Sequence, residues 1–221
     1  MRILAITASP KGAKSQTLKL TQKVVEGARS AGAEVEIVDV CKLKINYCVA
    51  CGVCYANGAC FHKDDFARLY SSILSCDGLV MSSPNYFRGV TAQLKTLLDR
   101  MADTVHCQLL TGKYGCAVGT AGGPEFGEVT DYLKGILIGF GVNVVGCVGA
   151  SPMREDAWEA AEWEARALGC KLVEDLRARA VYPEQEEAHH YMRDLFSGLV
   201  NMNKDLWKHE YEHWKKLGVL A

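Results

Sequence analysis

Cys48, Cys51, Cys54 and Cys60 fall within one stretch, Cys48-Val-Ala-Cys51-Gly-Val-Cys54-Tyr-Ala-Asn-Gly-Ala-Cys60, spaced C-x2-C-x2-C-x5-C. Thiols at i, i+3 and i+6 can face one way around a tight turn. Gly52 and Gly58 permit the sharp backbone that brings Cys60 back as a fourth ligand. Bacterial ferredoxins start with the same C-x2-C-x2-C run but send their fourth cysteine to another cluster. Here the fourth thiol is local, so one loop could hold one cubane [4Fe-4S] cluster. Zinc is the rival, although structural zinc sites usually bring two C-x2-C knuckles from separate segments. Unligated thiols are the third reading. Cys41 lies outside the run and has no ligand role.

A second chemistry sits nearer the start. Ser9-Pro-Lys11-Gly12-Ala-Lys14-Ser15-Gln16-Thr17 carries hydroxyls and two lysines, where a helix opens. A helix N-terminus with such groups is an anion site. A nucleotide P-loop ending at Lys14-Ser15 would need glycine at positions 8 and 13, and both are alanine. A dinucleotide G-x-G-x-x-G is absent. What remains is a hydroxyl-rich cradle for one phosphate monoester. Pro84-Asn85-Tyr86-Phe87-Arg88-Gly89 and Thr120-Ala-Gly122-Gly123-Pro124 follow two later apolar runs. Glycines let backbone approach a planar ring, and Tyr86 or Phe87 could pack on it. Lys11 and Arg88 are the cations expected near such a ligand.

These loops need a scaffold. Apolar runs at Arg2–Thr7, Glu34–Val40, Asp77–Ser83, Lys113–Thr120 and Asn143–Ala150 read as strands. Between them, helical spacing predicts helices over Ser15–Ala31, from Asp64-Asp65 to Leu74, Thr91–Ala102, Val129–Phe140 and Glu155–Ala180, the last with Gly169 as a weak point. The strands do not alternate polar with apolar, which signals a parallel sheet covered on both faces. Right-handed crossovers then give an α/β doubly wound, three-layer sandwich of five strands. Residues 1–182 form that domain, with the cysteine loop at 48–60 inserted after strand two.

Residues 183–221 read as a helical extension. A polar linker, Glu184–Glu187, leads into one helix over His189–Leu217. Met192, Leu195, Leu199, Met202 and Leu206 form a seam, and Trp207, Tyr211 and Trp214 a stripe rotated from it. So much apolar surface must pack, on its own domain or on an oligomer partner. His209-Glu210-Tyr-Glu-His213 matches H-E-x-x-H, but no third ligand follows and lysines flank it, so a solvated face is expected. His189-His190 reads as exposed, and His62 and His106 as loop or surface positions.

The 221 residues carry a formal net charge of −1 with 23% charged residues, so no basic field points to nucleic acid or an anionic membrane. Ten cysteines with several inside strands, no secretory signal and no apolar run of membrane length lead to the expectation of a soluble protein in the reducing cytoplasm.

S-P-K-x-x-x-S-x-T after the first strand, S-P-N-Y-F after the third and T-A-G-G after the fourth resemble the flavodoxin-like NAD(P)H-dependent FMN reductase superfamily, over about residues 1 to 150. The resemblance implies that Ser9, Lys11, Ser15, Gln16 and Thr17 hold the FMN phosphate. Pro84, Asn85, Tyr86 and Phe87 would line the isoalloxazine, and Thr120, Gly122 and Gly123 its pyrimidine edge. The helix Ala-Gln93-Leu-Lys95-Thr-Leu-Leu-Asp99-Arg100 resembles the family's dimer-interface helix. The cysteine pattern before an Asp-Asp helix resembles the iron–sulfur flavoprotein branch. That implies a [4Fe-4S] cluster on Cys48, Cys51, Cys54 and Cys60, a ferredoxin-like donor, a small oxidant as acceptor, and a homodimer or homotetramer. No side chain is expected to act as a general acid or base. Two alternatives stay open: an NAD(P)H-dependent FMN or quinone reductase without a cluster, and a zinc-stabilised binding module.

Overall fold

A computed structural model describes every residue except Pro124 and Arg154. Pro124, expected in the loop after strand four, therefore lies outside the described residues. The elements run β1 (Arg2–Thr7), α1 (Gln16–Ser30), β2 (Glu34–Asp39), α2 (Val53–Asn57), α3 (Phe66–Ser75), β3 (Gly78–Pro84), α4 (Ala92–Asp99), α5 (Ala102–His106), β4 (Tyr114–Thr120), α6 (Gly127–Gly139), β5 (Asn143–Ala150), α7 (Glu155–Ala178), α8 (Pro183–Met202) and α9 (Lys208–Lys216).

The five strands form one parallel sheet in the order β2-β1-β3-β4-β5. The chain leaves β1 in both directions, so the loops after β1 and β3 part there and open a crevice at the strand ends. β3 and β4 are almost wholly buried because helices cover both faces. On one face Leu20, Val24 and Ala28 of α1 and Ala165, Leu168 and Leu172 of α7 join the β core. On the other, Phe66, Leu69 and Ile73 of α3, Leu94 and Leu97 of α4, and Leu133 and Leu137 of α6 do the same.

The expected weak point at Gly169 is a close helix crossing. A Cβ there would stand 1.9 Å from the Val24 carbonyl, so α7 runs unbroken and touches the α1 backbone directly.

The extension differs from the expected single helix. It breaks after Met202, where Asn203 ends α8 and its side-chain amide donates to the Leu199 carbonyl (2.9 Å). The rotated Trp207–Trp214 stripe marks this change of direction. Both helices pack on the chain's own domain, α8 on α5 and α6, and α9 on α2. At its start, Gln185 donates to the Val144 carbonyl (2.9 Å) and accepts from the Val144 amide (2.8 Å), which satisfies the outer edge of β5.

Candidate functional site

Two hollows hold the residues singled out by sequence. The first lies at the carboxyl ends of the strands. Ser9, Lys11, Gln16, Thr17, Pro84, Asn85, Tyr86, Thr120 and Gly122 line a cavity of about 100 Å³ together with Ala121 and Pro152. Sequence reasoning missed the last two. Pro152 follows β5, and the rule that every strand end faces this crevice was the signal for it.

Each wall is set by local chemistry. Ser15 caps α1, its Oγ accepting from the Leu18 amide (3.0 Å). It is buried in that role and does not line the cavity. The Thr17 and Thr120 hydroxyls share a hydrogen bond (2.6 Å), which ties the first loop to the end of β4. The Thr91 hydroxyl donates to the Ala8 carbonyl (2.8 Å) and pins α4 beneath the same loop. The Asn85 amide donates to the Thr120 carbonyl (2.6 Å), and its side-chain nitrogen to the Glu125 carbonyl (2.6 Å).

Phe87 does not join them. Tyr86 and Gly89 exchange two backbone hydrogen bonds, closing a two-residue turn with Phe87 and Arg88 both at positive φ (52° and 67°). The turn carries the Phe87 ring out into solvent. Arg88 also turns away: its guanidinium pairs with Glu128 (2.7 Å from Nε). Gly123 stands beside the cavity without lining it.

The cavity fits a flat group that brings a hydrogen-bond donor, in two respects. Asn85 Oδ1 is buried without a hydrogen-bond partner among the described residues. None of the described residues lies within 4 Å of a Cβ built on Gly122 or Gly123, so their packing does not demand glycine there.

The second hollow is lined by all four cysteines of the run, Cys48, Cys51, Cys54 and Cys60, with Tyr55, His62, Asp99 and Arg100. Gly52 and Gly58 cap α2 at both ends in the left-handed region, as the loop demands. Ala50 is also left-handed (φ 52°), and its amide donates to Cys48 Sγ (3.4 Å). Burial, then the charges of Asp103, Cys60 and Glu210, pushes the Cys54 thiol up to about 12. Among the described residues, no three side chains of His, Cys, Asp or Glu converge closely enough for a single metal ion. Two orphaned nitrogens belong to residues of this wall: Arg100 Nε and His62 Nε2 are buried without partners among the described residues. A sulfur-rich group with many acceptor positions fits that donor set better than one ion does.

Remote parts of the chain brace this loop. Tyr55 lies 4.8 Å from both the His106 and Trp207 rings, and His106 stacks on Trp207 and Phe196. Glu210 corrects the expected solvated face: it is fully buried, and accepts from His106 Nδ1 (3.0 Å). Trp214 Nε1 donates to the His106 carbonyl (3.0 Å). His209 abuts Gly58, where a Cβ would meet the ring at 2.4 Å. His209 and Glu210 of the H-E-x-x-H letters thus serve packing around the cysteine loop, and His106 is part of that contact rather than a surface position. His189 is half-buried, its Nε2 3.3 Å from the Val142 carbonyl.

Arg100 is only 3% exposed. Its Nη1 donates to Asp64 Oδ2 and to the Asn46 carbonyl (both 2.9 Å), and its Nη2 to Asp64 Oδ1 (3.3 Å). The guanidinium carbon lies 4.4 Å over the Phe66 ring. Burial would raise the Asp64 carboxyl, but hydrogen bonds from Arg100 and from the Asn46 and Phe66 amides outweigh it and hold it at about 2. The end of the expected interface helix is therefore committed to the cysteine loop.

Comparison with known proteins gives four matches. Residues 1–155 match the family described as NADPH-dependent FMN reductase. An iron–sulfur flavoprotein of Archaeoglobus fulgidus is 33% identical over 226 aligned positions, covering 100% of both chains. One from Methanocaldococcus jannaschii is 31% identical over 130, covering 59% of this chain and 67% of that protein. Among solved structures, an NAD(P)H:quinone oxidoreductase from Methanothermobacter marburgensis shares the fold, with TM-score 0.61 and 19% identity, over 78% of this chain and 96% of its own.

Proposed function

We propose, from the premise that the chain belongs to the NADPH-dependent FMN reductase family and within it with the iron–sulfur flavoproteins, that this flavin-dependent oxidoreductase holds FMN in the strand-end cavity and a [4Fe-4S] cluster in the Cys48–Cys60 loop. The observation that carries the proposal is that four thiols from one short loop line one hollow, apart from a cavity whose walls suit a flavin phosphate and ring. When bound, FMN exchanges electrons singly or in pairs and an iron–sulfur cluster exchanges them singly.

The chain's own residues bind and orient. Ser9, Lys11, Gln16 and Thr17 would hold the phosphate, Lys11 supplying charge and the opening turn of α1 its free amides. Pro84, Asn85 and Tyr86 would flank the ring, with Thr120 and Gly122 at its polar edge. Ser15 serves indirectly, by fixing the start of α1. We assign no side chain as a general acid or base. A ferredoxin-like protein would donate electrons, with a small oxidant such as oxygen, peroxide or a quinone as acceptor, in a homodimer or homotetramer.

The family description favours a second reading, in which NADPH is the donor and the thiols carry no iron. Anaerobic purification with iron, sulfide and flavin analysis separates the two. The first expects about four irons and one FMN per chain, and Cys51→Ala that has lost its iron but keeps FMN. Iron-free protein whose flavin bands bleach rapidly with NADPH would sink it. No described helix is long and apolar enough to cross a membrane.

A further inference from the structure

Arg100 uses its two terminal nitrogens on Asp64 and Asn46, and its face on Phe66. Those contacts leave the group no freedom to turn. The remaining donor, Nε–H, is buried with no acceptor among the described residues, and the Cys60 thiol lies beside the guanidinium. Arg100 also lines both the thiol hollow and the neighbouring 420 Å³ cavity shared by Cys54 and Cys60. His62 repeats the pattern two residues beyond Cys60, its buried Nε2 lacking a partner among the described residues and its side chain on the same wall. A buried N–H is rarely left without an acceptor, and with the His62 proton on Nε2 the two point to one shared acceptor.

We propose that Arg100 and His62 are positioning residues that donate N–H groups to the sulfurs of the cluster site and set its reduction potential. The proposal rests on the cluster reading above. No bond forms or breaks. One electron arrives from the ferredoxin-like donor, and the donors lower the energy of the more negative reduced state, because hydrogen bonds to sulfur draw charge from it. Asp64 neutralises the guanidinium but leaves Nε–H available, so arginine supplies here what lysine cannot.

The test uses anaerobically purified holoprotein, with iron and FMN counted and both midpoints followed by potentiometric titration, the cluster by electron paramagnetic resonance. Arg100→Lys should keep iron and FMN and lower the cluster's reduction equilibrium at least tenfold, about 59 mV for a one-electron couple. The flavin midpoint should stay in place. His62→Phe should move the cluster the same way by less. Variants that keep their iron with an unmoved cluster midpoint overturn the proposal and leave the cluster reading intact. Should Arg100→Lys shed its iron, His62→Phe decides: a negative shift upholds the proposal, an unmoved midpoint overturns it. Wild-type protein free of iron overturns both.

Discussion

The strand-end cavity takes its walls from loops that each follow a strand of one sheet, and most of its fixed contacts run between backbone and short hydroxyls. The thiol hollow takes its walls from residues 48–62, from the end of α4 at Asp99 and Arg100, and, behind Tyr55, from His106, Trp207 and Glu210. The first is held by the core and would survive loss of any one remote side chain. The second lies outside the sheet and depends on side chains up to about 150 residues away. Topology builds one site; packing by a late helix builds the other.

If that contrast holds, damage should separate the two sites. The largest effect is expected from Trp214→Ala, which empties a fully buried indole site beneath His106. It should cost about 3–5 kcal/mol and speed hydrogen exchange across residues 48–60, while FMN affinity changes little. Equal loss of FMN would break the comparison. Gly58→Ala comes next: its Cβ would strike His209 and its φ is +74°. A cost of about 1–2 kcal/mol should appear as faster iron loss to a chelator with FMN unchanged. Thr17→Val is the converse probe. It leaves the buried Thr120 hydroxyl without its partner, at about 1–2 kcal/mol, and should weaken FMN about tenfold in a flavin titration without altering iron content. The last effect concerns Asp64, whose folded carboxyl titrates at about 2. The folded state binds the proton less tightly there than the unfolded chain, so the Arg100 pair contributes fully above the ordinary carboxylate pKa of about 3.9. The melting-temperature gap between wild type and Asp64→Asn should therefore close as pH falls from about 4 to about 2, with no change above that window.

The same contrast governs what the sequence discloses. Apolar runs fix strands because a sheet buried on both faces tolerates little else; β5 spans Asn143–Ala150 as its pattern predicts. Loops at strand ends follow from that register, so Thr17, Asn85 and Thr120 were legible. Phe87 was not, because a two-residue turn with both φ positive reverses which way its ring points. Ser15 has the right residue type for a phosphate cradle, but helix capping claims the hydroxyl first. Glu210 and Arg100 were the least legible. Each is a charge whose burial depends on a partner far off in sequence, His106 for one and Asp64 for the other, and no local pattern encodes such a pairing. The break at Asn203 was half visible, since the apolar stripe rotates there.

The contact of His209 with Gly58 also has a bearing on synthesis. The cysteine loop leaves the ribosome about 150 residues before the helix that closes over it, a delay of roughly 8–30 s at ordinary elongation rates. For that interval the sheet can begin to form, but α2 and Gly58 lack the helix they pack against. Nascent chains thus carry the four thiols on a loop not yet braced, and the arrival of the helix that packs on α2 ends that interval.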